Sequence, residues 1–225
     1  MIPLKDDNPT RTVSFVTLAL ITANVALFLW QFLLPPHEQQ LLVLNLAVIP
    51  FEVTRFRPSG GGALLYNGMT LLTAMFLHGG WLHLGGNMLY LWIFGNNIED
   101  VMGHLRFLAF YLLCGLIGSV AQIAAAPDSK TPMIGASGAI AGVLGAYLVM
   151  FPAARVLTLL YFFVFVRVVA IPASIVLGLW FLIQLVSAGR ISPGGVAWFA
   201  HIGGFATGLI LIVPFRRRRS RQSLY

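Results

Sequence analysis

Two short motifs hold residue types able to do chemistry, Gly135-Ala136-Ser137-Gly138 and Ala200-His201-Ile202-Gly203-Gly204, and each lies within a long apolar run. Burying a nucleophilic or ionisable side chain among apolar residues is costly, so such residues line cavities, pair with partners and mark functional sites. A serine that meets a histidine is equipped for acyl transfer. The imidazole takes the hydroxyl proton as general base, the oxygen attacks a carbonyl, and the imidazole then gives the proton to the leaving group. Ser137 is therefore the candidate nucleophile and His201 the candidate base. Aspartate and glutamate are missing from the parts of the apolar runs that hold these residues, so a dyad is expected.

Attack on an amide creates an oxyanion that needs donors aimed at it. The Ser137 backbone N–H, at a helix start, is one such donor, favoured by the helix dipole. His83 and Asn87, one helical turn apart on one face, supply side-chain donors, and His78, above the start of that helix, is a supporting residue. The Gly-x-Ser-Gly motif opens a helix and lacks the final glycine of a nucleophile elbow. A zinc protease would need His-Glu-x2-His, which is absent, and His78 and His83 do not share a helical face. No metal and no other cofactor is expected.

Apolar composition dictates the elements that must position these groups. The 225 residues are 58% hydrophobic and 9% charged, with a mean hydropathy of +0.86, which points to a polytopic membrane protein. Runs at about 12–34, 81–98, 105–125, 137–151, 168–186 and 196–215 read as six membrane helices in one domain covering residues 1–225. The first run exceeds the apolar core of a signal peptide and is not followed by a small-residue cleavage site, so it is expected to be retained. With short flanks no soluble domain is expected, and the chemistry is expected within the membrane. An all-α membrane bundle is the expected fold class.

Lys5, Arg11, Arg106, Arg155, Arg167, Arg216, Arg217, Arg218, Arg219 and Arg221 fall on one side if both ends are cytosolic, leaving Arg55, Arg57, Lys130 and Arg190 outside. The positive-inside rule then gives N-in, C-in. It also accounts for the net charge of +7 without nucleic acid, for which a basic face interleaved with aromatics is missing. The second, fourth and sixth helices run from outside to inside in this topology. At 1.5 Å per residue, Ser137 stands about 21 Å above Phe151, His201 about 22 Å above Arg216 and His83 about 24 Å above Glu99. All three reach one level, beneath the outer surface of a core about 30 Å thick. The fourth helix is too short to span alone, so its start must meet a water-filled external cavity.

Gly138 with Gly142, and Gly204 with Gly208, form GxxxG pairs that let the fourth and sixth helices approach closely. The longest connection, 35–80, holds Pro35-Pro36, Pro50, Pro58 and Ser59-Gly60-Gly61-Gly62; it is expected to be an external loop whose pieces 41–53 and 69–77 lie in the interface. Residues 152–167 read as an inner loop, His37 and His104 as solvated loop residues, and Glu99 and Arg167 as anchors of the inner ends. Cys114 is the one cysteine and suits a packed small hydrophobe. A transporter would show an inverted repeat or an interrupted helix pair, and neither is present in the pattern.

In order and spacing these motifs resemble those of rhomboid intramembrane serine proteases, specifically the compact six-helix prokaryotic form. His-x4-His-x3-Asn matches His78, His83 and Asn87; Gly-x-Ser-Gly matches Gly135, Ser137 and Gly138; Ala-His-x2-Gly-x3-Gly matches Ala200, His201, Gly204 and Gly208. Gly95 to Glu99 resembles the Gly-x3-Glu that closes the second helix, and the likeness runs over residues 12–215. It implies a Ser137/His201 dyad with His83, Asn87 and the Ser137 amide around the oxyanion. It further implies single-pass membrane protein substrates cut near the outer end of their membrane segment, in a prokaryotic cell (inner) membrane. The alternative is a catalytically silent client-binding protein of the same fold, which would need neither Ser137 nor His201. Two positions depart from the pattern. Ala141 stands where some members carry a tyrosine that stacks on the catalytic histidine, and the Trp-Arg pair of many first external loops is absent from 35–77.

Overall fold

A computed structural model describes residues 1–55, 63–162, 165–189 and 195–217. The chain opens with strand β1 (Ile2–Asp6) and helix α1 (Phe15–Leu33), followed by α2 (Pro36–Leu46), α3 (Pro50–Arg55) and α4 (Ala63–Thr73). A 3₁₀ turn (Ala74–Phe76) leads to α5 (Trp81–Tyr90), a π-helical turn (Leu91–Gly95), α6 (Asn96–Met102) and α7 (His104–Ala125). Then come α8 (Ser137–Met150), a hairpin of β2 (Arg155–Phe162) and β3 (Phe165–Pro172), α9 (Ala173–Ala188) and α10 (Trp198–Phe215). Among the described residues α1, α7 and α10 are long and apolar enough to cross a membrane, while α8 and α9 are shorter apolar helices. Length and composition suit these helices to a membrane interior.

Helix α8 is the centre of the bundle, with every residue from 138 to 147 buried. Its glycines decide how close its neighbours come. A Cβ on Gly204 would collide with the Gly138 carbonyl, and one on Gly208 with the Gly142 carbonyl, so α8 and α10 touch backbone to backbone. On the other side of α10, a Cβ on Gly118 of α7 would lie 2.6 Å from the Ala200 carbonyl. Small residues thus allow three helices to meet where larger side chains would hold them apart.

Several expectations change. The fold is not purely helical, because β1, β2 and β3 form an antiparallel sheet in that order. The expected inner loop 152–167 belongs mostly to the hairpin, with Leu160 opposite Arg167, and the expected fifth helix starts at Ala173 instead of 168. Residues 155–172 are rich in valine, leucine and aromatics, and from 168 onward they read as the start of a membrane span by hydropathy. β-branching favours the strand, and Pro172, extended at φ −54° and ψ 138°, sets the helix start. The second expected helix is likewise not one regular α-helix but α5, the π turn and α6. Gly95 sits where a Cβ would lie 2.9 Å from Leu91 Cδ1 and 3.2 Å from Thr17 Cγ2, so α1 presses on this turn.

The connection 35–80 is mostly helical where described; Pro58 and Ser59-Gly60-Gly61-Gly62 lie outside the described residues, as do Arg57, Arg190, Arg218, Arg219 and Arg221. It docks on the segment before α8. Val48 and Met133 exchange backbone hydrogen bonds of 3.1 and 2.8 Å, and the Phe51 amide donates to the Ser129 carbonyl at 2.9 Å. His37 lies in α2.

A second polar cluster closes the end of the bundle away from Ser137. Glu99 is fully buried and its carboxylate accepts from the Val16 amide (2.9 Å), the Thr17 amide (2.7 Å) and the Thr17 hydroxyl (2.6 Å). It therefore caps α1 from another helix, a site where an anion also meets the helix dipole. His104 begins α7 and pairs with the same carboxylate through Nδ1 at 2.6 Å, so it is not a free loop residue. Nearby, Asp6 accepts from Asn97 Nδ2 (2.7 Å) and the Tyr147 hydroxyl (2.6 Å), tying β1 to α6 and α8. Burial pushes the Asp6 carboxyl above its ordinary value, while the Tyr147 hydroxyl bond opposes that shift. Glu99→Ala leaves buried donors without an acceptor, and we expect a loss of about 3–5 kcal/mol in detergent unfolding. A loss under about 1 kcal/mol would remove Glu99 from this role.

Candidate active site

Ser137 is the first residue of α8, preceded by Gly135 in a conformation (φ 121°) that only glycine adopts easily. The Gly135 amide donates to the Ala74 carbonyl at 2.8 Å, which fixes the approach to the helix. His201 lies one turn into α10. The contact between the α8 and α10 backbones brings His201 Nε2 to 2.8 Å from Ser137 Oγ.

The other ring nitrogen also has a partner. His201 Nδ1 is 2.8 Å from Gln184 Oε1 on α9, and Gln184 Nε2 donates to the Trp180 carbonyl at 3.0 Å. The imidazole is bracketed by aromatics, with the Trp180 ring at 5.9 Å and 40° and the Trp198 ring at 6.0 Å and 88°. These take the place of a tyrosine at position 141, where Ala141 is fully buried in α8.

His83 and Asn87 stand on the opposite side of the serine. The Gly79 amide donates to His83 Nδ1 at 3.3 Å, leaving Nε2 as the nitrogen that carries the proton. That Nε2 faces the turn before Ser137: a Cβ on Gly135 would lie 2.6 Å from it and 3.6 Å from Asn87 Nδ2. His78 does not reach Ser137. Its buried ring meets Asn87 Nδ2 through Nε2 at 3.0 Å and the His83 ring edge-on at 5.0 Å, while its carbonyl accepts from Gln31 Nε2 at 3.0 Å.

A cavity of about 560 Å³ joins these groups, lined by His83, Asn87, Ser137, Gln184 and His201 with Tyr90 at its side. Of the residues singled out in the sequence, Ser137, His201, His83 and Asn87 line this cavity, His78 lies behind Asn87, Gly135 faces His83 Nε2, and Gly138, Gly204 and Gly208 lie in the α8–α10 contact. Gln184, Trp180 and Trp198 were not expected. The signal for Gln184 was available, since it is a lone amide in the apolar run of α9, open to the same burial argument that singled out His201. No group of three His, Cys, Asp or Glu side chains that could hold a metal occurs among the described residues.

A serine and histidine in hydrogen-bond contact at a helix start, inside an apolar helical bundle, define a membrane-embedded candidate hydrolase site. The rhomboid domain profile matches residues 67–218, and the chain belongs to the rhomboid family. The Bacillus subtilis rhomboid protease GluP is 47% identical over 78 residues, 35% of this chain and 15% of that protein. The Arabidopsis thaliana RHOMBOID-like protein 5 is 40% identical over 78 residues, 35% of this chain and 25% of that protein. The mitochondrial RHOMBOID-like protein 6 of the same plant is 35% identical over 149 residues, 63% of this chain and 41% of that protein. The chain thus spans less than half the length of these relatives.

Gly204→Ala drives a methyl into the Gly138 carbonyl, so we expect about 1–3 kcal/mol of destabilisation. Gly178→Ala in α9, where a Cβ meets nothing within 4 Å, serves as the control and should stay within about 0.5 kcal/mol. Equal effects in thermal unfolding would contradict the close α8–α10 contact.

Proposed function

We propose that this protein is an intramembrane serine endopeptidase that cuts single-pass membrane proteins near the outer end of their membrane segment. The observation that carries the reading is the 2.8 Å contact of His201 Nε2 with Ser137 Oγ at a cavity that also exposes His83 and Asn87. We take the chain as one domain with six spans, in which α5, the π turn and α6 act as the second and α9 as the fifth. N-in, C-in topology puts the cavity mouth outside. The membrane we propose is that of a prokaryotic cell.

In the first step Ser137 Oγ bonds to the substrate carbonyl carbon as its proton passes to His201 Nε2. The resulting oxyanion accepts hydrogen bonds from the Ser137 amide and from His83 and Asn87, whose donors lie beside Gly135. The imidazolium then protonates the leaving amine, the peptide bond breaks and an ester remains on Ser137. A water molecule, deprotonated by His201, attacks this ester, releasing a carboxylate and restoring the serine. Asn87 Nδ2 carries two N–H donors, so one can stay on His78 Nε2 while the other meets the oxyanion. Amides in an intact helix are already hydrogen-bonded, so the substrate's top turn must unwind into the cavity. A small residue before the cut and helix-breaking residues near it are therefore favoured.

In liposomes, with a single-pass substrate, Ser137→Ala and His201→Ala should each lower cleavage by at least about 10³-fold. Cleavage unchanged by Ser137→Ala would overturn the nucleophile, and no cleavage by any form would favour a silent client binder. A poly-leucine segment should be cut far more slowly than a glycine-containing one. Equal rates would contradict the unwinding requirement.

A further inference from the structure

We propose that Gln184 is a positioning residue for His201, the third member of a Ser137–His201–Gln184 relay in which a neutral amide stands where an acid is missing. The role rests on the serine protease reading above. Gln184 Nε2 is committed to the Trp180 carbonyl at 3.0 Å, which turns Oε1 toward the imidazole. An amide oxygen can only accept, so the 2.8 Å contact requires His201 Nδ1 to carry the proton. In the neutral ring Nε2 is then bare, and it is the nitrogen 2.8 Å from Ser137 Oγ. The hydroxyl must donate to it, which is the geometry of a general base.

The amide does for the ring what a carboxylate does elsewhere, fixing tautomer and orientation, without placing a charge in the membrane. As Nε2 takes the serine proton, the Nδ1–H bond to Gln184 persists and strengthens on the cationic ring. Trp180 has two functions in this arrangement: its carbonyl orients Gln184 and its ring flanks His201. Around the imidazole stand Ser137 from α8, Gln184 and Trp180 from α9 and Trp198 from α10, while the titratable His83 of α5 lines the same cavity.

The test uses the full chain in liposomes with the single-pass substrate, comparing wild type with Gln184→Met and Gln184→Glu, and ¹⁵N-histidine spectra of the same samples in detergent. Gln184→Met keeps the bulk but has no oxygen. It should lose at least about tenfold in kcat with KM within about twofold of wild type. Gln184→Glu keeps an acceptor in place, so it should retain most of the activity. Its acid limb should move to higher pH because a carboxylate favours the imidazolium. In the spectra the wild-type His201 ring should be the Nδ1–H tautomer, and that preference should vanish in Gln184→Met. An Nε2–H wild-type ring, or a Gln184→Met protein with wild-type kcat, overturns the inference. Failure of Ser137-dependent cleavage overturns the protease reading instead, and the tautomer still decides the role of Gln184.

Discussion

Lipid tails are as apolar as leucine, so helices inside a membrane gain little from the hydrophobic effect when they associate and depend on close packing. In this protein that packing is carried by glycine on both partners. Gly138 and Gly142 of α8 present carbonyls to Gly204 and Gly208 of α10 at a separation that leaves no room for a Cβ. Ser137 directly precedes the first of these contacts and His201 lies one turn before Gly204. The pair is therefore held at hydrogen-bond distance by the backbones rather than by long, adaptable side chains. Gly145, whose Cβ would strike the Phe205 carbonyl, continues the same seam further along α8.

The remaining elements keep this seam in register. Glu99 ties α6 to the start of α1 and of α7, and Asp6 ties β1 to α6 and α8 through Asn97 and Tyr147. Glu99, Asp6, Asn97 and Tyr147 are buried, where an unpaired polar group is expensive, so their bonds fix one arrangement of the far end. The π turn between α5 and α6 lets the chain pass from His83 and Asn87 at the cavity to Glu99 at this anchor while accommodating α1. Above, the Val48–Met133 bridge secures the segment that leads to Gly135.

Much of the candidate site was legible because hydropathy makes polar residues conspicuous. Ser137, His201, His83 and Asn87 interrupt apolar runs, and counting helix rise from the far boundaries places Ser137, His201 and His83 at one level. The same contrast marks Gln184, but the third member of a serine protease triad is ordinarily an acid, and an amide does not carry that signal. The β2–β3 hairpin was not legible for the opposite reason: 152–167 reads as a loop, Val168 and Val169 read as membrane span, and only β-branching and Pro172 distinguish a strand from the start of a helix. His104 looked like a loop residue because its partner, Glu99, is fixed by the turn at Gly103 (φ 81°), a backbone feature that polarity alone does not reveal.

On the proposed mechanism, Ser137 is made nucleophilic by the histidine held against it inside the membrane. The most direct measurement is reaction of the liposome-embedded protein with a fluorophosphonate, followed by mass mapping of the adduct. A single phosphonylated residue at Ser137, lost when His201 is replaced by alanine, is the predicted result. An adduct elsewhere, or labelling of Ser137 at the same rate without His201, would contradict the account.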